Sequence, residues 1–489
     1  MTVTVEPQDS HNKALVDMLA PANWHNPAPA GRYNMVVIGG GPAGLVVAAG
    51  AAGLGARVAL VERHLMGGDC LNFGCVPSKA LLKAAHKAHD SGQAPDFAAV
   101  MEDMRQKRAS IAHHDSVDRF SALGIDVFLG DGKFTSPSSI EVAGAKLNFH
   151  RAVIATGARA ALPPIPGLAE ADPLVNESLF SLTELPRRLI VIGAGPIGCE
   201  MAQAFRRFGA EVTLIEMADR LVPIEDPEAS AILKAQFEKE GIHMILGAAV
   251  VRADKKSVTV KEGDQERIIQ GDEILVAAGR IPNIEGLDLE AAGVDYHRRG
   301  VTVNDRLQTA NAKIYAAGDI CSPYQFTHSA DAMARIVIQN ALFFGRKKTS
   351  DLVMPWATYT APEIAHVGMT AKEATEKGDE IVIYSARMAE IDRAVLEGET
   401  AGFARIYADR RSGRILGATM MSAHAGESIS EMALAITAGL KMADVAATIH
   451  PYPTQAEIWK RLAGEYLKAK FTPSIARIFR IFLKIFAKT

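Results

Sequence analysis

Met35-Val36-Val37-Ile38-Gly39-Gly40-Gly41-Pro42-Ala43-Gly44 and Leu189-Ile190-Val191-Ile192-Gly193-Ala194-Gly195-Pro196-Ile197-Gly198 are two copies of one pattern. Each reads as a short apolar strand, a glycine turn (Gly39, Gly41, Gly44; Gly193, Gly195, Gly198) and the start of a helix. A second strand follows in both copies, Val58–Val61 ending in Glu62 and Val212–Ile215 ending in Glu216. The acidic residue comes 23 positions after the first glycine each time. A lone glycine fingerprint carries little weight, but strand, turn, helix and acid at matched spacing, twice, predict two β-α-β dinucleotide-binding units. The glycines admit the tight turn and the close approach of a pyrophosphate to the helix N-terminus, and the acid suits a ribose hydroxyl.

Working outward, 489 residues exceed one hydrophobic core and imply about two to four domains. With 48% hydrophobic and 22% charged residues the chain is globular, and a net charge of -3 gives no reason to expect a nucleic-acid partner. Four cysteines are too few for a secreted disulfide scaffold of this length. Residues 1–20 mix charges with short apolar stretches and lack a signal-peptide core. No run approaches the ~20 apolar residues of a membrane span. A cytoplasmic location is expected, qualified by the last stretch of the chain. Residues 1–31 read as a leader and linker ending in Pro21, Pro27 and Pro29, with regular structure expected from Tyr33.

Between the two copies lies Gly67-Gly68-Asp69-Cys70-Leu71-Asn72-Phe73-Gly74-Cys75-Val76-Pro77-Ser78-Lys79, followed by an apolar helix predicted from about Pro77. Cys75 then sits at a helix N-terminus, where partial positive charge favours a thiolate, and Lys79 adds a cation one turn on. A structural disulfide and a zinc half-site are the competing readings. Zinc needs two more ligands at short spacing, and His86 and His89 on the following helix offer no paired arrangement. A redox-active Cys70–Cys75 pair is the reading adopted.

Cys-x4-Cys-Val-Pro-Ser-Lys after a dinucleotide fingerprint resembles the class I pyridine nucleotide-disulfide oxidoreductases, which include dihydrolipoamide dehydrogenase, glutathione reductase and mercuric reductase. The resemblance runs from about Tyr33 to Lys470 and includes Ala155-Thr156-Gly157, Ala278-Gly279-Arg280-Ile281-Pro282-Asn283 and Tyr315-Ala316-Ala317-Gly318-Asp319. It implies FAD on the first unit, NAD(P)H on the second, and a homodimer joined through a C-terminal α/β dimerisation domain. Thr156 and Gly157 mark a domain crossover, Gly279 and Gly318 further cofactor contacts, and Asp319 the position that meets the flavin's ribityl chain. The resemblance also pairs Lys79 with Glu200 near the flavin, makes Cys75 the charge-transfer thiolate and makes Cys70 the interchange thiol.

The C-terminal motif separates branches of that family. Disulfide-reducing members carry His-Pro-Thr-x-x-Glu, whose histidine serves the interchange thiol across the subunit boundary. Here the stretch is His450-Pro451-Tyr452-Pro453-Thr454-Gln455-Ala456-Glu457. Aligning Pro453-Thr454 and Glu457 puts Tyr452 at the histidine's place. A histidine near pKa 6.5 moves protons at neutral pH and a phenol near 10 does so poorly. Tyr452 is similar in this to mercuric reductases, as is the lead-in Asn26-Pro27-x-Pro29-Ala30-Gly31-Arg32-Tyr33-Asn34. The chain departs from them in having no cysteine after Cys321 and no N-terminal metal-binding domain, so metal delivery by their usual route is not expected. His450 as a displaced base stays open.

Glu216 favours NADH by repelling a 2′-phosphate, whereas Arg220 and the habit of mercuric reductases favour NADPH; NADH leads. Cys199 and Cys321 are read as inert core thiols, and His113 and His114 as solvated neighbours on a surface helix. No resident metal site is expected. In residues 475–488, Arg477, Arg480, Lys484 and Lys488 form one helical stripe beside isoleucines and phenylalanines. Such a basic amphipathic helix binds a membrane surface, packs on the dimer, or frays.

The expected organisation is a leader/linker (1–31), an FAD domain (32–157 and 286–352), an NAD(P)H domain (158–285), a dimerisation domain (353–470) and a basic tail (471–489). The expected activity is NAD(P)H-dependent reduction of a metal ion such as Hg(II). Its rivals are a disulfide reductase such as dihydrolipoamide dehydrogenase, a membrane-surface quinone reductase, and a slow-turnover redox sensor.

Overall fold

Regular structure begins at Ser10 rather than Tyr33. In the computed structural model, which describes residues 3–487, helix α1 (Ser10–Leu19) is capped by Asp9, whose carboxylate accepts from the Asn12 N–H at 2.8 Å. Leu15 and Leu19, one turn apart, are buried in the core of the first nucleotide fold. The Pro-rich run that follows is pinned along the strand Asp126–Leu129: Trp24 Nε1 donates to the Val127 carbonyl (3.2 Å), and Asn26 exchanges two bonds with Leu129 (3.0 and 2.8 Å). The stretch read as leader and linker is therefore part of the folded body.

The first repeat forms β1 (Arg32–Ile38), α2 (Pro42–Gly53) and β2 (Val58–Glu62). Helices α3 (Gly68–Asn72), α4 (Cys75–Ser91) and α5 (Phe97–Ile111) follow, then β3 (Asp126–Leu129), β4 (Gly132–Ser136), β5 (Ser139–Val142) and β6 (Ala145–Ile154). The sheet runs β3-β2-β1-β6-β5-β4, parallel from β3 to β6. Its central strands are apolar without alternation because both faces are covered. Met35 and Val37 face α1 and α2, whereas Val36 and Ile38 face a second cluster with Phe134, Phe149 and Leu287.

The second repeat gives β7 (Arg188–Ile192), α6 (Pro196–Phe208) and β8 (Glu211–Glu216), extended by β9 (His243–Leu246) and β10 (Glu273–Val276) into a parallel sheet of order β9-β8-β7-β10. The chain then returns to the first sheet, where β11 (Ile314–Ala316) pairs with β6 and α7 (Thr327–Leu342) lies against α2. The two crossings are zipped together. Thr156 Oγ1 donates to the Asn283 carbonyl and Asn283 Nδ2 to the Thr156 carbonyl, both at 2.9 Å.

All of this except Arg220–Gln236 belongs to one compact unit, ending at Leu352. A second unit takes Arg220–Gln236 and the chain from Val353 onward. It holds an antiparallel sheet of order β12-β13-β16-β15-β14, from β12 (Pro355–Thr358), β13 (Glu363–Gly368), β14 (Ile381–Arg387), β15 (Phe403–Asp409) and β16 (Ile415–Ser422). Helices α8 (Ala425–Thr437) and α9 (Glu457–Lys470) bury Ile429, Met432, Trp459 and Leu462 in its core. Arg405 on β15 binds Asp226 and Glu228, and Trp356 donates to Glu225 at 2.8 Å, which explains why Arg220–Gln236 goes with this unit. Helix α10 (Pro473–Phe486) ends the described chain. No helix among the described residues is long and apolar enough to cross a membrane.

Candidate active site

The two repeats share the close approach at the third glycine and the carboxylate contacts of the acid. A Cβ on Gly44 would lie 1.8 Å from the Gly39 carbonyl oxygen, and one on Gly198 would lie 1.9 Å from that of Gly193. Only glycine lets helix and strand approach so closely. Gly39 and Gly193 also hold positive φ (107° and 103°) over the ends of β6 and β10, where a Cβ would meet the Ala155 and Ala277 carbonyls at 2.2 and 2.6 Å. Glu62 accepts the N–H groups of Gly40 (2.6 Å) and His64 (2.7 Å); Glu216 accepts those of Ala194 (2.6 Å) and Ala218 (2.9 Å). Each acid thus closes its own glycine turn. Carboxylate lone pairs remain for a ribose hydroxyl.

Register carries the other motifs to the same edge. Ile38 pairs with Ile154 and Ile154 with Ala316, so Gly39–Gly44, Ala155–Gly157 and Gly318–Asp319 leave three adjacent strand ends side by side. This is where a doubly wound sheet binds its ligand. Gly67 and Gly68, both at positive φ, fasten the cysteine segment to the glycine loop: the Gly67 N–H donates to the Gly40 carbonyl at 2.8 Å, and a Cβ on Gly68 would fall 2.5 Å from Gly41 Cα.

Cys75 is the first residue of α4, two positions before the helix start read from the sequence. No disulfide joins the two cysteines here; Cys75 is exposed and Cys70 half-buried. A hydrogen bond from the Cys70 thiol, with help from Thr327 (Sγ to Oγ1 3.5 Å) and the Lys79 charge, lowers the Cys75 pKa to about 6 against the opposing effect of burial. The same hydrogen bond, then burial, pushes Cys70 up. One thiolate and one thiol is the preferred state of the pair. Lys79 Nζ is 2.7 Å from Glu200 Oε2, joining the cysteine helix to α6, where the Glu200 side chain is buried.

Several functional neighbours escaped sequence reasoning. Asp69 accepts from Asn176 Nδ2 (2.7 Å) and meets Arg280 Nη2 (3.1 Å). Arg280 Nε is buried without a hydrogen-bond partner and lies 3.6 Å from Asp319 Oδ2. Burial raises the Asp319 carboxyl to about 6, with Arg280 opposing. Arg108, buried in α5, donates to the Asn72 carbonyl (2.6 Å) and to Asn12 Oδ1 (2.5 Å), tying the cysteine segment to α1. These contacts join segments far apart in the chain; the stretches holding Asp69, Asn72, Arg280 and Asp319 are legible as motifs, whereas Asn12, Arg108 and Asn176 and the pairings themselves are not.

In the second unit, His450 and Tyr452 have different surroundings. The His450 side chain is buried, with Nε2 2.9 Å from Glu431 Oε1 and Nδ1 3.2 Å from the Thr448 carbonyl. Tyr452 is 68% exposed, and its hydroxyl donates to Asp392 Oδ2 at 2.7 Å, which raises its pKa. Glu457 opens α9.

Among the described residues, no group of three possible metal ligands includes Cys70 or Cys75. Glu397, Glu399 and His424 do come together, but Arg393 and Gln455 already donate to those carboxylates. Cys199 is fully buried, and burial raises the half-buried Cys321 to about 12. His113 and His114 are exposed, as expected, but sit on a 3-10 turn rather than an α-helix, with ring centroids 3.9 Å apart.

Comparison with known proteins agrees with these features. Residues 33–334 match the pyridine nucleotide-disulphide oxidoreductase family and residues 354–463 its dimerisation domain. A mercuric reductase of Lysinibacillus sphaericus is 36% identical over 441 residues, covering 87% of this chain and 81% of that protein. A dihydrolipoyl dehydrogenase of Thermus scotoductus is 34% identical over 444 residues, covering 87% and 95%. Among solved structures, the HOCl-induced flavoprotein disulfide reductase RclA of Escherichia coli superposes with a TM-score of 0.80 at 30% identity, covering 88% of this chain and 99% of that one. The chain belongs to the pyridine nucleotide-disulphide oxidoreductases, enzymes that work with FAD and a pyridine nucleotide and carry a dimerisation domain.

Proposed function

We propose that the protein uses NADH to reduce a soft metal ion, with Hg(II) the leading substrate, through the Cys70–Cys75 pair. The overall reaction is NADH + Hg(II) → NAD⁺ + H⁺ + Hg(0). The observation that carries the choice of acceptor is Tyr452, solvent-exposed at the place of the catalytic histidine, while His450 is buried against Glu431.

The residues present fit FAD. The cradle at Gly39, Gly41 and Gly44 has no room for a Cβ at its first and third positions, and beside it Arg280 Nε is buried without a hydrogen bond, in a loose ion pair with the desolvated Asp319. Residues 32–157 and 286–352 would hold it, with Thr156, Gly157 and Gly318 lining the approach. Bound there, FAD supplies a two-electron relay between nicotinamide and dithiol. Residues 158–285 would hold the nicotinamide cofactor through Gly193, Gly195, Gly198, Glu216 and Gly279. Glu216 supports NADH, and the Arg220 guanidinium is turned to the Pro223 carbonyl at 2.7 Å.

The chain's own groups then do three things. The Lys79–Glu200 pair holds a cation beside α4. Cys75, kept as thiolate, and Cys70, kept as thiol, offer a soft two-sulfur site suited to Hg(II). By family resemblance, Tyr452 and Glu457 of the partner subunit complete that site, where a phenol coordinates or hydrogen-bonds and accepts protons poorly.

A second reading, disulfide reduction, is favoured by the relatives named for that chemistry. Purified enzyme is assayed with NADH against Hg(II), lipoamide, glutathione disulfide and a quinone. NADH oxidation fastest with Hg(II) supports the proposal, and turnover with lipoamide at rates matching dihydrolipoyl dehydrogenases overturns it.

A further inference from the structure

Helix α10 buries none of its residues. Ile478, Ile481, Phe482, Leu483, Ile485 and Phe486 are between 57% and 65% exposed, a contiguous apolar face of the kind that marks an interaction surface. At helical spacing these side chains, with Ile475 and Phe479, sweep an arc of about 200°, while Arg477, Arg480 and Lys484 share a stripe of about 60° on the opposite side. Lys488, the fourth cation in the sequence pattern, lies outside the described residues.

Charge selects the occupant. Residues 471–489 contain no Asp or Glu, although the chain as a whole is net negative. Two copies of α10 packed through their apolar arcs would leave both basic stripes facing outward with no acidic partner on either helix, whereas an anionic surface pairs them. The family's dimerisation domain ends at residue 463, before α10 begins. At 14 residues the helix is about 21 Å long, enough to lie on a bilayer and too short to cross one.

We propose that α10 docks on an anionic lipid bilayer, lying in its plane with the apolar arc at the acyl boundary and Arg477, Arg480 and Lys484 against headgroup phosphates. The enzyme would then work at a membrane surface whatever its acceptor.

The test is flotation of the full-length flavoprotein with vesicles of phosphatidylcholine alone or with about one-third phosphatidylglycerol, alongside light scattering. Three surface cations predict roughly a hundredfold preference for the anionic vesicles. Phe482→Glu/Ile485→Glu should abolish flotation, and Arg480→Glu/Lys484→Glu should erase the preference, with dimer mass and NADH oxidation unchanged in both. Absence of flotation, equal flotation with both vesicle types, or unaltered flotation of either variant overturns the proposal. Dissociation of the dimer by Phe482→Glu/Ile485→Glu also overturns it, because the face would then belong to the subunit boundary.

Discussion

Cys70 and Cys75 are the same chemical group held in opposite states, and the difference comes from neighbours that the spacing of the motif only partly reveals. The thiolate reacts with alkylating agents and the thiol does not. Because the Cys75 pKa is lowered, its reactivity should be low in acid, rise through about pH 6 and stay high at neutral pH. Lys79→Met removes a cation that favours the thiolate and should move that midpoint up by about one pH unit. Iodoacetamide labelling of the reduced enzyme across pH measures both, and an unmoved midpoint in the variant would remove Lys79 from the account. Lys79 was legible as the cation one turn after Cys75 and, by resemblance, as the partner of Glu200. Thr327, which also holds the thiolate, was not, because it lies more than 200 residues away and its place beside Cys75 is set by the return of the chain through β11 and α7.

At the scale of elements the two β-α-β units were readable because their physics is local: glycine, strand and acid lie within 24 residues of one another. The near-identical clashes at Gly44 and Gly198 separate the two cofactors experimentally. Gly44→Ala should purify with at least about tenfold less flavin, read from its visible absorbance. Gly198→Ala should stay yellow and instead raise KM for NADH by about tenfold or more. If both variants lose flavin equally, the assignment of one unit to each cofactor fails. Helix α1 shows the converse. Its Leu15–Leu19 pair is too short a pattern to announce a helix ahead of a Pro-rich run, and its role appears only where Asn12 meets Arg108 and Arg108 meets the Asn72 carbonyl. Arg108→Met leaves both acceptors without that donor and should destabilise the first unit by about 2–4 kcal/mol. Denaturant unfolding followed by flavin fluorescence measures it, and a change below about 0.5 kcal/mol would reduce the strap to a surface contact.

At the scale of the whole molecule, the proposed site divides into two arrangements: Tyr452 completing the cysteine pair of its own chain, or that of the partner. The sequence marked the residue but not its setting. It also gave no hint that Arg220–Gln236 leaves the second β-α-β region for the second unit, because that attachment rests on Arg405, Asp226 and Glu228 meeting across some 180 residues. Mixed dimers can supply the answer. Cys75→Ser and Tyr452→Phe subunits should each form homodimers of low metal-reducing activity, the first by losing its thiolate and the second, through the phenol, by about tenfold or more. Refolded together in equal amounts, random pairing makes half the dimers mixed. If the site is built from two subunits, one of the two sites in each mixed dimer joins an intact Cys75 to the partner subunit's intact Tyr452, and about a quarter of wild-type activity returns. If each subunit completes its own site, every site carries one lesion and nothing returns. Recovery to about a quarter, against no recovery, therefore decides whether dimerisation is part of the chemistry or only of the assembly.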